Sequence, residues 1–269
     1  MAWWKRMLKT PTSPAGPPNT HWALFVKAND ADPTEFFEIR RNGSSVWFAQ
    51  GKPLTMGESD FREFPSEEDA LRLWDGLTGE QTKQGFALVY QGEYEPGTFD
   101  FKLLQQAIEN GARQAFLRLC EEQRYEKITG FALYSDGMGM TICNAAMSAN
   151  SFDKNDDELD YYLTNPGEWP YATDVGMLLA YRMILFPGFI GNDLPFEREV
   201  PNFVEQFYEA VVRALETLDT EQVFGAGEER NAFLLLFGDS DGGPTKYHVR
   251  RLNPLPVFER YADSFDNCG

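Results

Sequence analysis

The chain has 269 residues, 42% of them hydrophobic and 14% aromatic, enough for one large or two small cores and too apolar for wholesale disorder. Its formal net charge of −18 opposes a sequence-independent grip on nucleic-acid phosphates. The excess is uneven: residues 1–96 hold 10 Lys/Arg against 14 Asp/Glu, and residues 97–269 hold 14 against 28. Such a field either steers a basic protein surface toward the second part or simply keeps the chain in solution.

Cys120, Cys143 and Cys268 are odd in number and far apart, which fits neither a disulfide framework nor a close-set metal site and points to a reducing compartment. Residues 1–8 carry Trp3, Trp4, Lys5 and Arg6 with no apolar run behind them, unlike a secretory signal. The apolar stretch 175–190 is interrupted by Tyr181-Arg182 and Pro187-Gly188 and is too short for a bilayer. A cytoplasmic protein without a membrane anchor is expected.

Residues 1–20 read as a terminal segment and a proline-rich tether, TPTSPAGPPN. The Trp3-Trp4 pair either packs back on its own fold or serves as a binding element. Over residues 21–92 the pattern is that of a small antiparallel sheet with one helix. Residues 22–27, 35–41 and 45–50 alternate or cluster aromatic and β-branched side chains, with Asp32-Pro33 and Asn42-Gly43 as turn makers. Residues 59–64 add a fourth strand. Ser66 is placed to cap a helix whose apolar face is Ala70, Leu71, Trp74 and Leu77. Residues 86–90 return as a strand, and GEYEPG at 92–97 reads as a linker.

From residue 98 a larger mixed α/β layer domain is expected, making the chain α+β as a whole. Phe101, Leu104, Ile108, Ala112, Ala115 and Leu119 predict a long amphipathic helix over 99–123, in which Gly111 is a defect that close packing would explain. Residues 128–134 and 140–147 flank Ser135-Asp136-Gly137-Met138-Gly139, the composition of a tight hairpin. An acidic helix or loop over 150–162, an aromatic turn at 165–171 and a helix over 172–186 follow. A further helix starts at Pro201 with the stripe Val204, Phe207, Val211, Ala214 and Leu218. Residues 233–237 predict a buried strand and 247–252 a final strand.

Catalytic patterns are weak. His21 and His248 stand near no nucleophile signature, and Gly225-Ala226-Gly227 lacks the rest of a phosphate loop. Asp239-Ser240-Asp241-Gly242 resembles the start of a calcium loop, but its twelfth position is Arg250, so it reads as a solvated turn. No cofactor, metal or catalytic residue is assigned. Asp153, Asp156, Asp157, Glu158 and Asp160 form either a solvated face or a surface that steers a basic partner. Asp239 and Asp241 extend that acidity. Trp169 and Tyr171 are either anchors of such an interface or core residues.

Two resemblances give these patterns a context. Residues 35–39 (EFFEI), Val46-Trp47-Phe48, the Gly51/Gly57 loop, residues 64–70 (FPSEEDA) and Lys83-Gln84-Gly85-Phe86 resemble the WGR domain, a sheet module that contacts DNA ends in polymerases of poly(ADP-ribose). Where that family has Trp-Gly-Arg, this chain has Gln50-Gly51-Lys52, leaving Lys27, Arg40, Arg41, Lys52 and Arg62 as the cations for a nucleic-acid contact. The second part, through Ser148-Ala149-Asn150, Gly167-Glu168-Trp169-Pro170-Tyr171 and the run 218–225 (LDTEQVFG), resembles a bacterial domain of unknown function encoded beside polymorphic toxins. That resemblance implies an immunity protein of the SUKH-like kind, a non-catalytic binder of a cognate toxin. The WGR likeness tilts the toxin toward an ADP-ribosyltransferase. The alternative is a nucleic-acid-associated regulator that uses the WGR-like part.

Overall fold

A computed structural model of the chain describes residues 19–29, 32–94, 98–153, 157–173, 176–185, 202–239 and 246–265. The Trp3-Trp4 pair, the proline tether up to residue 18, Pro201 and Cys268 lie outside them.

The aromatic alternation near the N-terminus forms β1 (Thr20–Asn29), β2 (Asp32–Asn42), β3 (Ser45–Gly51), β4 (Glu58–Glu63) and β5 (Ala87–Tyr94), an antiparallel sheet in the order β4-β3-β2-β1-β5. Asn42 pairs with Ser45, so Gly43, with φ of 55°, and Ser44 form the two-residue loop between β2 and β3. Helix α1 (Glu67–Lys83) starts where expected: Asp69 N–H donates to Ser66 Oγ at 3.2 Å, and three carboxylates occupy its first turn. It covers one face of the sheet, burying Ala70 and Trp74 against Phe25, Phe37, Ile39 and Val46. Trp22, Leu24, Phe36 and Ala49 point the other way, into a core shared with the second half of the chain. A sheet covered on both faces explains the unbroken apolar run at residues 22–25.

The expected linker is in part a strand. Gly92, Glu93 and Tyr94 continue β5 opposite Trp22, His21 and Thr20. The ring of Tyr94 packs 5.9 Å from Trp22, and its hydroxyl donates to Tyr90 at 3.0 Å. Gly92 makes room for a ring rather than a turn, since a Cβ there would collide with the Tyr90 side chain.

The second half adds α2 (Phe101–Glu122), β6 (Ile128–Ser135), β7 (Cys143–Ser148), α3 (Leu159–Thr164), α4 (Leu178–Leu185), α5 (Phe203–Thr220), β8 (Leu234–Asp239), α6 (Lys246–Leu252) and α7 (Leu255–Tyr261). Its sheet runs β7-β6-β8, with β6 antiparallel to β7 and parallel to β8. Helices α2, α4 and α5 pack on one face through Ile108, Leu119, Met183, Phe207, Val211 and Leu215. Val249 and Val257 of α6 and α7, with Trp169 and Phe265, cover the other. Gly111 is the close contact its position called for: a Cβ there would lie 2.7 Å from the Gly176 carbonyl. The helix trades about 1 kcal/mol of propensity for that approach.

Two expectations are corrected. The tight hairpin is a longer loop over residues 136–142, held by Asp136 Oδ1, which accepts the N–H groups of Met138 (3.1 Å) and Met140 (2.7 Å). The positive φ (59°) falls on Gly139, with the Phe207 ring filling the space of its missing Cβ. Residues 247–252 belong to a helix, α6. Val249 and Leu252 are buried three residues apart while Tyr247 is exposed, a spacing that strand-like alternation conceals in so short a segment. The edge of β8 is met by a side chain instead: Asn253 Oδ1 accepts from Leu235 N at 2.9 Å and its Nδ2 donates to Leu235 O at 2.7 Å. His248, half-buried beside Phe237, is held below the usual imidazole value by burial and then by Arg251.

Arg251 joins α6 to α5, donating to Glu209 Oε2 (2.6 Å) and Glu216 Oε1 (2.7 Å). Hydrogen bonding from Arg251, partly offset by desolvation and reinforced by Arg213, holds the Glu209 carboxyl at about 2. A depressed folded value means that this contribution is complete above the unfolded carboxyl value, roughly 4.3, and is lost as pH falls toward 2. In thermal melts from pH 5 to 2, Glu209→Gln is therefore expected to flatten the acid side of the Tm profile. Because Glu209 is more than one-third exposed, solvent screening limits the effect to about 1 kcal/mol or less.

Candidate functional site

Most of the acidic segment resolves into one face around α3. Asp153, Asp157, Glu158 and Asp160 are all exposed, and Asp156 lies outside the described residues. Tyr162 stacks on Phe152, with ring centroids 5.3 Å apart and planes within 4°, and its hydroxyl donates to Glu158 Oε2 at 3.1 Å. Ser264 Oγ donates to Asp160 Oδ1 at 2.6 Å. Tyr161 is 52% exposed. Its hydroxyl accepts from Asn165 Nδ2 at 3.0 Å and lies 3.4 Å from Glu168 Oε1. Two carboxylates, Glu158 and Glu168, thus lie against the hydroxyls of two adjacent tyrosines, one of which presents its ring to solvent.

Trp169 and Tyr171, anchors or core residues on the sequence alone, lie in the interior and at its margin. Trp169 is buried, 5% exposed, and its Nε1 donates to Tyr162 O at 3.0 Å. Its ring rests on Gly130, where a Cβ would come within 3.2 Å of it. Trp169 is a core peg that seats α3 on the sheet, and its burial leaves no ring free for a partner. Tyr171 is half-buried and bridged to Ala146 by backbone hydrogen bonds of 2.7 and 3.2 Å. Its hydroxyl donates to Glu126 Oε2 at 2.9 Å, where Ser148 Oγ also donates at 2.5 Å, and the two bonds hold that carboxyl below its usual range.

Asp239 is not part of this face. It ends β8 opposite Ser135, whereas Trp169 meets β6 at Gly130, about 17 Å away along the strand. Asp241 lies outside the described residues. Tyr161 and Glu168 are what the sequence reading missed. The Tyr161-Tyr162 pair ending the acidic run was the available signal, but one-dimensional spacing does not say which ring faces out.

A second cluster joins charged residues that are far apart in the sequence. Glu38 on β2 is fully buried between two guanidinium groups. Arg40 Nε donates to Glu38 Oε1 at 2.6 Å and Arg182 Nε, from α4, to Glu38 Oε2 at 2.5 Å. Arg182 also donates to Thr55 O at 3.0 Å and lies over the Phe36 ring at 4.2 Å. Arg40 lies over Trp47 at 4.6 Å. Burial lowers the Arg40 value, and Glu38 opposes that shift. This triad joins the first sheet to α4 with charge on both sides of the junction. Arg40, one of the cations expected for nucleic acid, is consumed here.

The other cations are mostly engaged. Lys27 pairs with Glu35 (3.9 Å) and Arg62 with Asp60 (3.0 Å), Arg41 donates to Gly43 O (3.4 Å), and Lys52 is exposed. At Gln50-Gly51 the surface holds a hollow of about 400 Å³ whose rim includes Glu35 and Glu58, an acidic setting for a phosphate. Among the described residues no group of three His, Cys, Asp or Glu could hold a metal ion, and no helix is long and apolar enough to cross a membrane.

Fold and surface together define an α+β protein with an acidic, tyrosine-bearing face on its second half. Residues 108–254 match the family described as "Domain of unknown function (DUF4303)", and the chain belongs to that family. The match begins within α2, so the five-stranded sheet and Glu38 precede it, while Arg182 and the α3 face fall inside. No curated protein matches the chain. Among solved structures, a crystal structure of a Bacteroides fragilis protein is similar at 12% identity and a TM-score of 0.24, covering 85% of this chain and 45% of that one. The chain thus spans less than half the length of that protein.

Proposed function

We propose that this protein is an immunity protein that binds and neutralises a cognate bacterial polymorphic toxin stoichiometrically, acting by occlusion rather than catalysis. The exposed carboxylates around Tyr161 carry this reading. Tyrosine supplies rigid contact area, and surrounding charge raises the rate and specificity of meeting a basic surface. The toxin-associated resemblance of the second half supports it, as does the concentration of negative charge there. The WGR-like arrangement of residues 21–92 favours an ADP-ribosyltransferase toxin by association alone. Duplex-end binding by the first sheet has less support, since Arg40 is buried and Lys27 and Arg62 are paired with carboxylates.

The test is a variant carrying Tyr161→Ala, Asp157→Asn, Glu158→Gln and Asp160→Asn, titrated against the toxin by surface plasmon resonance. A loss of affinity of about 10- to 100-fold is expected, with a slower association rate at low salt. An unchanged Kd for the folded variant would refute this face as the docking surface.

A further inference from the structure

All six residues of β4, the outermost strand of the first sheet, are exposed. In the β3–β4 register Phe61 lies opposite Trp47, and Phe64 N–H continues that register by donating to Ser44 O at 3.0 Å. Backbone bonds alternate along an antiparallel ladder. Glu58, Asp60 and Arg62 therefore bond to β3, and the N–H and C=O groups of Ser59, Phe61 and Glu63 point outward. The Phe61 N–H is held by its neighbour's carboxylate, Asp60 Oδ1, at 2.9 Å. Arg62 pairs with the same carboxylate at 3.0 Å. The Phe61 ring is 61% exposed.

This edge is complementary to itself. We propose that β4 pairs antiparallel with β4 of a second copy of this chain, about a two-fold axis at Phe61. In that register Phe61 opposes the partner's Phe61, Ser59 opposes the partner's Glu63, and Asp60 opposes the partner's Arg62 on each side of the axis. Outward groups then meet outward groups along the seam, and the local Asp60–Arg62 pairing is exchanged for pairing across it. The adjacent registers that also align outward groups place either Asp60 opposite the partner's Asp60 or Arg62 opposite the partner's Arg62, and like charges directly opposed destabilise a sheet. Of these three registers the Phe61-centred one alone avoids both, and, being a two-fold pairing of the same edge, it makes a closed, isologous contact instead of an open chain of strands.

Sedimentation equilibrium on the full chain at about 100 µM, a concentration suited to a small interface, tests this. The protein is expected to be a dimer. Asp60→Arg and Arg62→Asp, each opposing two pairs of like charges, should each raise the dimer dissociation constant at least about tenfold. The double exchange Asp60→Arg/Arg62→Asp should restore it to within about threefold. Ser59→Pro, which removes an outward N–H while sparing the bonds to β3, should also abolish pairing. Far-UV circular dichroism verifies that each variant is folded. A monomer at this concentration, a dimer indifferent to both single changes, or a double exchange no tighter than the singles would overturn the proposal.

Discussion

Glu38→Gln is expected to lower the unfolding free energy by about 3–5 kcal/mol, the usual cost of removing one partner from a buried ion pair. The carboxylate has no exposed surface and accepts from Arg40 on its own strand and from Arg182 on α4. Without its charge, two buried guanidiniums face each other, and Arg182 already disfavours the charged form of Arg40 in the native protein. The rings of Phe36 and Trp47 beneath the two arginines do not replace an anion. Arg182 also fixes the carbonyl of Thr55, so the loop between β3 and β4 should loosen with it. Urea denaturation followed by tryptophan fluorescence measures the effect. A change below 1 kcal/mol would mean that the triad does not hold the first sheet to α4. Replacing all three charges by apolar residues of similar volume should cost much less, because the desolvation penalty disappears with the attraction.

Trp169→Ala should destabilise by a similar amount, about 3–5 kcal/mol for truncating a buried indole. The cavity would open beside Met147 and Gly130, and the Tyr162 carbonyl would lose its indole donor. Since α3 rests on this ring, the acidic face should disorder before the global transition, and amide hydrogen exchange over residues 157–164 should speed up. This result separates two roles for the residue. An interface anchor mutated to Ala keeps its stability and loses affinity, whereas a core peg loses stability first. Burial predicts the second outcome.

Residues whose local chemistry decides their structure were legible in the sequence. Ser66 with three following carboxylates marked the start of α1, Gly43 marked the turn, and the stripes of α2 and α5 gave their buried faces. Elements decided by a distant layer were not. In residues 35–41 (EFFEIRR), nothing local marks the side of Glu38 and Arg40 as interior, because a charge in a strand normally faces water. Arg182 of α4, placed far along the chain, helps turn that side into an interior. The helix α6 was hidden for a related reason: one turn of Val249 and Leu252 has too few positions to separate a period of 3.6 from one of 2. The acidic surface was legible as exposed. Which aromatic residue faces out was not, because Trp169 and Tyr161 differ in burial and not in any property of their neighbours.

The proposed function stands or falls on complex formation. The direct measurement is co-expression of this chain with the polypeptide encoded next to it, followed by purification through a tag on one partner and an assay of growth. A stable 1:1 complex and rescue of growth are predicted, with both weakened when the carboxylates around Tyr161 are neutralised. A neighbour that is harmless alone and does not co-purify would contradict the account.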